Sequence, residues 1–254
     1  MRCAIGRFWQ RVQTPSSHLL GAALLSAPLA ACGGSGDHEG EAQHRVAVTA
    51  CSEAPGQVHE PTSVAELIEM LNAMPKPVSL PCFVESLARP LELNASTSIL
   101  SAQPSLGRQS PRMFVFSDPM ILTVVPEGAG SHLLEMGELR SETRSLKAEI
   151  EFPVDRALEP SEPFDRLLFS EDITNCAFCH AEEERDTSID FASAFVSRAL
   201  RPQPAQRVSI EDLVVEYEAC DASEKPERCA LLDAVFGWGD VEERDFPETM
   251  PTFP

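Results

Sequence analysis

The pattern of apolar and polar positions changes character along the chain. An apolar run from Leu19 to Ala31 comes first, and a stretch with little periodicity follows to about residue 60. Ser63-Val64-Ala65-Glu66 then has the form of a capping box. Leu67, Ile68, Leu71 and Met74 follow at helical spacing, and Pro75 stops them. Short strands are predicted at Leu91 to Leu93, Arg112 to Ser117, Met120 to Val125, Leu133 to Met136 and Ser145 to Val154. Pro104, Gly107, Asp118-Pro119 and Glu127 to Gly130 separate them as turns. The strictest alternation runs from Leu146 to Phe152 and predicts one apolar and one wet face. Residues 61–156 are therefore expected to form a helix plus a small antiparallel β-sandwich or barrel-like domain.

The acidic stretch from Leu158 to Pro163, with Pro160 inside it, is the expected domain boundary. Beyond it the spacing turns helical. A short helix is expected at Phe164 to Phe169. Thr187 and Asp190 cap a second, with Phe191, Phe195 and Ala199 on its face, and Pro202 ends it. Ser209 with Asp212 opens a third holding Ile210, Leu213, Val214 and Tyr217. Pro226 opens a fourth with Ala230, Leu231, Ala234 and Val235, and Gly237 closes it. The fold class expected is α+β, with a mostly α domain over 164–254 after the β domain.

Arg2, Arg7 and Arg11 precede the first apolar run, which is too short to span a bilayer but suits an export signal. The run ends in Leu29-Ala30-Ala31-Cys32, followed by Gly33-Gly34. This resembles the lipobox of bacterial lipoproteins. The resemblance implies a signal peptide over 1–31, acylation of Cys32, and a flexible tether over 32–60. Gly33 stands where an inner-membrane retention signal would have Asp, which favours the outer membrane. The plainer alternative is ordinary secretion. Both place the protein outside the cytoplasm, facing the periplasm or the cell surface.

Charge and cysteine content narrow the chemistry. Forty Asp and Glu against 20 Lys and Arg exclude a nucleic-acid partner. Cys176-Ala177-Phe178-Cys179-His180 has the spacing of a covalent haem attachment site. Two thiols three residues apart reach two vinyl groups of one porphyrin from one turn, and the next residue offers an imidazole to the iron. Cys51, Cys82, Cys220 and Cys229 remain as an even set with three possible pairings. The local pairing, Cys51 with Cys82 and Cys220 with Cys229, keeps each bridge inside one expected domain.

The only methionine after the pentad is Met250, and no histidine follows His180. A Met-Pro so placed, together with Cys176, Cys179 and His180, resembles class I cytochromes c over residues 164–254. That resemblance implies one haem c, His180 as proximal ligand and Met250 as candidate distal ligand. It departs from the family in one respect, since no further helix has room after Met250. The function expected is a lipid-anchored, periplasm-facing c-type cytochrome that relays electrons to a redox protein. It is not expected to be an enzyme, because a six-coordinate iron leaves no open position. Residues 164–254 hold 21 acids against 8 bases, including Glu182-Glu183-Glu184. These are either a solvated face or a docking rim for a basic partner. Phe178, Trp238 and Phe253 are expected in the core or on the porphyrin. Two rivals remain. A thiol–disulfide oxidoreductase would need a buried strand before Cys176, and Ser170 to Asn175 is too polar for one. The other is a non-redox surface lipoprotein whose β domain binds a partner and whose pentad is a disulfide or a metal site.

Overall fold

The structure is a computed structural model that describes Cys51 and residues 59–253. The expected signal peptide, Cys32 and most of the tether lie outside the described residues. Helix α1 (Val64–Ala73) forms where the capping pattern places it. Ser63 Oγ accepts from the Glu66 amide at 3.2 Å. Glu66 reaches back one residue further than the box predicts, accepting from the Thr62 amide and hydroxyl at 2.8 and 2.7 Å. Val64, Leu67, Ile68, Met70 and Leu71 are buried. A second helix, α2 (Leu80–Glu85), was not expected; Ser79 caps it at the Cys82 amide.

Five strands then pair antiparallel in chain order: β1 (Leu91–Ser96), β2 (Arg112–Ser117), β3 (Met120–Val124), β4 (Leu133–Ser141) and β5 (Arg144–Glu151). A single-turn helix, α3 (Glu162–Asp165), leads to β6 (Leu168–Ser170), β7 (Ile173–Thr174), β8 (Glu184–Arg185), β9 (Phe195–Arg198) and β10 (Arg207–Val208). Helices α4 (Ile210–Glu218) and α5 (Pro226–Phe236) and strand β11 (Val241–Glu243) follow.

These later elements correct the expected domain plan. β9 pairs with β5, and β8 with β9. At the other edge β10 and β11 share the outer side of β1, β11 in parallel. The result is a nine-stranded sheet that runs across the boundary expected at 158–163, and residues 59–253 belong to one compact unit. Helices α4 and α5 do form with their expected caps, but Leu213, Leu231, Ala234 and Val235 join the same core as Leu67, Phe83 and Leu93. The helix expected after Asp190 is an extended segment instead. From Phe195 to Ala199 burial alternates with period two, and Ser197 lies opposite Ser145. Five residues do not separate a period of 3.6 from one of 2; the open hydrogen-bonding edge of β5 decides the outcome.

The two faces of the sheet differ in chemistry. Leu93, Val115, Leu122, Met136 and Ala148 stand in one cross-strand row. That face is apolar and lies under α1, α2, α4 and α5. The opposite face carries Asn94, Phe114, Thr123, Glu135 and Glu149 in one row, and Glu92, Phe116, Ile121, Gly137 and Lys147 in the next. Two disulfides, Cys51–Cys82 and Cys220–Cys229, follow the local pairing. The first ties Cys51 to α2, and the second joins the turn after α4 to α5.

Candidate functional site

The mixed face of the sheet is roofed by parts of 166–180, 199–202 and 246–253, and a cavity of about 340 Å³ lies beneath them. That is within the usual size of a ligand site. Phe114, Ile121, Leu139, Phe246 and Met250 give it an apolar wall. Arg112, Glu135, Lys147, Glu149, Arg166 and Arg201 line the remainder. Cys176, Cys179 and His180 also line this cavity. Four sequence-predicted site residues, including Met250, are thus brought together.

Local bonds shape the pentad. Asn175–Phe178 forms one 3-10 turn, and Thr174 Oγ1 accepts from the Cys176 amide at 3.1 Å. Glu183 holds Thr174 in turn, accepting from its amide at 2.7 Å and its hydroxyl at 2.5 Å. The Cys176 carbonyl then accepts from the amides of Cys179 and His180 at 3.1 and 2.7 Å, which gathers both sulfurs and the imidazole onto one turn. Cys176 and Cys179 are free thiols, although the four other described cysteines are paired. Burial pushes the Cys176 thiol up to about 11, against the attraction of Lys147, so it stays protonated at neutral pH.

The His180 imidazole is oriented by a backbone carbonyl. Its Nδ1 lies 2.8 Å from the Arg198 carbonyl. Burial, with the Lys147 and Arg112 cations nearby, pushes the imidazole down to about 3, so it is neutral. A carbonyl only accepts, so Nδ1 carries the ring proton and Nε2 keeps its lone pair. This second-sphere bond is the one that commonly orients metal-binding histidines.

Met250 is 1% exposed and packs with Phe114, Phe116, Ile121, Ala199 and Phe246. Phe246 meets both phenylalanines edge to face, each with ring centres 5.1 Å apart. Phe253 lines the cavity, but Phe178 and Trp238 are exposed rather than core, and Phe178 packs edge to face on exposed Phe169 at 5.4 Å. The acidic run after the pentad has local partners: Glu182 pairs with Arg198 and Arg144, Glu184 with Arg144, and Glu183 with Thr174.

Sequence reasoning missed the polar wall. Lys147 and Glu149 were expected on a wet face, but both are half-buried and line the cavity. Burial pushes the Lys147 ammonium down to about 8 while its Nζ donates to Ser145 Oγ at 2.7 Å. Glu149 is raised by burial and by Glu135, against Arg166. The alternation marked the face correctly but carried no sign that later segments would roof it.

The resemblance to a lipoprotein with a class I cytochrome c domain does not survive. Residues 164–254 extend an antiparallel sheet instead of forming a separate helical domain. Among the described residues no group of three or more His, Cys, Asp or Glu side chains converges to hold a metal ion. The chain matches no protein family, no curated protein and no solved structure.

Proposed function

We propose that the protein carries one haem in the roofed cavity over the mixed face of its sheet, where Cys176 and Cys179 would bond it and His180 Nε2 would ligate its iron. This is a different setting from the helical domain the sequence resembles. The observation that carries it is the meeting of Cys176, Cys179, His180 and Met250 in one cavity, although 70 positions separate His180 from Met250. The donor set suits the group: two free thiols, one neutral imidazole with an idle lone pair, and one thioether in an apolar wall. One histidine and one thioether would suffice to hold such an iron, so no cluster of three ionisable ligands would be needed.

Attachment consumes no oxidant. Cys176 and Cys179 would hold the group through two thioether bonds, each thiol's sulfur and hydrogen both passing onto one vinyl C=C. Cys176 brings its own hydrogen because burial keeps it protonated. When bound, haem supplies a one-electron couple. Arg198 keeps the imidazole oriented. Met250 offers the second ligand from among Phe114, Phe116 and Phe246, and apolar surroundings disfavour the more charged, oxidised iron. The role we assign is electron carriage to a redox protein partner. Two disulfides point to an oxidising compartment, and no described helix is long and apolar enough to cross a membrane.

The test is to produce the full chain together with a haem-attachment system and extract it with acid–acetone. Haem should stay with the chain, and the Cys176→Ala, Cys179→Ala double variant should release it. Haem that extracts from the unaltered chain, or never enters it, sinks the proposal.

A further inference from the structure

Four cationic side chains, Arg112, Lys147, Arg166 and Arg201, face only two carboxylates, Glu135 and Glu149, around the cavity. Those six groups leave an excess of two positive charges, in a chain whose net charge is −20. Two of the cations have idle donors. The Nε atoms of Arg112 and Arg201 are buried without a hydrogen-bond partner. Such groups are costly to leave unmet, and guanidinium forks suit carboxylates. Arg112 is already fixed, paired to Glu135 and lying over the Phe114 ring at 5.0 Å. Arg201 is fixed only through its backbone, donating to the Pro251 carbonyl at 2.9 Å and accepting from Phe253 at 2.8 Å. Among the described residues its guanidinium has no ion pair or hydrogen bond.

We propose that Arg112 and Arg201 form a carboxylate-binding end of the cavity that takes the two propionates of the haem; this rests on the haem assignment above. The placement fits the ring's own chemistry, in which vinyl groups and propionates occupy opposite edges. The pentad's His180 sits beside β9, where the Arg198 carbonyl holds it, and β9 pairs with β5. Arg112 is rooted on β2, three strand spacings from β5, or about 14 Å across the face. Arg201 lies three residues beyond Arg198, up to about 10 Å along the chain. Glu149 is paired to Arg166, and Glu135 engages only the Nη2 arm of Arg112, which leaves Arg112 Nε and the Arg201 guanidinium for the ligand.

The full chain, prepared without covalent haem, is titrated with haemin and with haemin dimethyl ester and followed by absorbance. The diacid should bind at least tenfold more tightly than the diester. Arg112→Met and Arg201→Met should each reduce that preference, and Arg201→Lys should retain part of it. Equal binding of the two porphyrins by the unaltered chain overturns the assignment without any substitution, and leaves the haem reading standing. A preference kept in the Arg112→Met, Arg201→Met double variant overturns it too. Failure of both porphyrins to bind removes the haem reading and this assignment with it.

Discussion

Met250 has two separable duties, and two substitutions divide them. The side chain is 1% exposed in an apolar cluster with Phe114, Phe116, Ile121, Ala199 and Phe246. Truncating a buried methionine to alanine costs about 2–5 kcal/mol. Met250 borders the cavity, so part of its surface lacks packed neighbours and the low end applies, about 2 kcal/mol. For a unit of this size each kcal/mol moves the midpoint by about 2–4 °C, so haem-free Met250→Ala should melt about 4–8 °C lower. Met250→Leu nearly conserves volume and should cost under about 1.5 kcal/mol. It still removes the thioether. In the haem-loaded chain, Met250→Leu should therefore lose the weak near-infrared band of a thioether–iron(III) bond and lower the reduction potential, with little change in haem-free melting. Differential scanning fluorimetry of the haem-free chains and spectroelectrochemistry of the loaded ones give both readings. A near-infrared band that persists in Met250→Leu refutes ligation by Met250. Unchanged melting in Met250→Ala refutes its place in the packed wall.

Gly137 lies opposite Lys147 on the cavity floor, and a Cβ there would meet Ser145 at an ordinary 3.5 Å. Gly137→Leu should keep the fold by circular dichroism while its side chain fills the cavity, so haem incorporation should fall steeply. Glu183→Ala leaves the amide of 2%-exposed Thr174 without its acceptor, a loss of about 1–3 kcal/mol, and should lower both the melting point and the yield of attached haem. Lys147→Met should stabilise the haem-free chain. The folded state holds this ammonium near 8, below its unfolded value of 10.5, so the desolvation cost is full below pH 8 and vanishes as pH rises to 10.5. The gain, about 1–3 kcal/mol at pH 7, should shrink across that window in denaturant titrations. An equal gain at pH 7 and 10.5 would contradict the assigned burial.

Much of the sheet was readable before the structure because local signals and tertiary demands agree there. Arg112 to Ser117 holds a continuous apolar run, sits between turn signals and becomes β2 with the expected bounds. Ser63 and Ser209 cap helices whose apolar faces have a core to meet. The pentad was readable because its chemistry is local to five residues. Its surroundings were not. β8, β9 and β10 are two to four residues long, and they are strands only because the edges of β5 and β1 were open to them. The polar wall was hidden for a related reason. Arg112, Glu135 and Lys147 stand on three strands, and only the register places them on one face. Arg201 comes from a crossing segment that makes a single isolated bridge, to Thr252. Nothing in the spacing of Phe191, Phe195 and Ala199 distinguished a helix from this extended path.

Both disulfides lie in the layer of helices, at α2 and between α4 and α5. The segments that roof the cavity carry no disulfide among the described residues; hydrogen bonds such as Asn175 to Leu167 and Arg201 to Pro251, the ion pairs of Arg166 with Glu149 and Glu151, and the packing of Phe246 and Met250 hold them. The molecule is therefore stapled on one side and laced on the other. Its amides should exchange with solvent in two populations, those under the helices surviving until global unfolding and those over the cavity opening far more cheaply. A ligand bonded to Cys176 and Cys179 would act as the missing staple, and its arrival should register first as slowed exchange along 166–180 and 199–202.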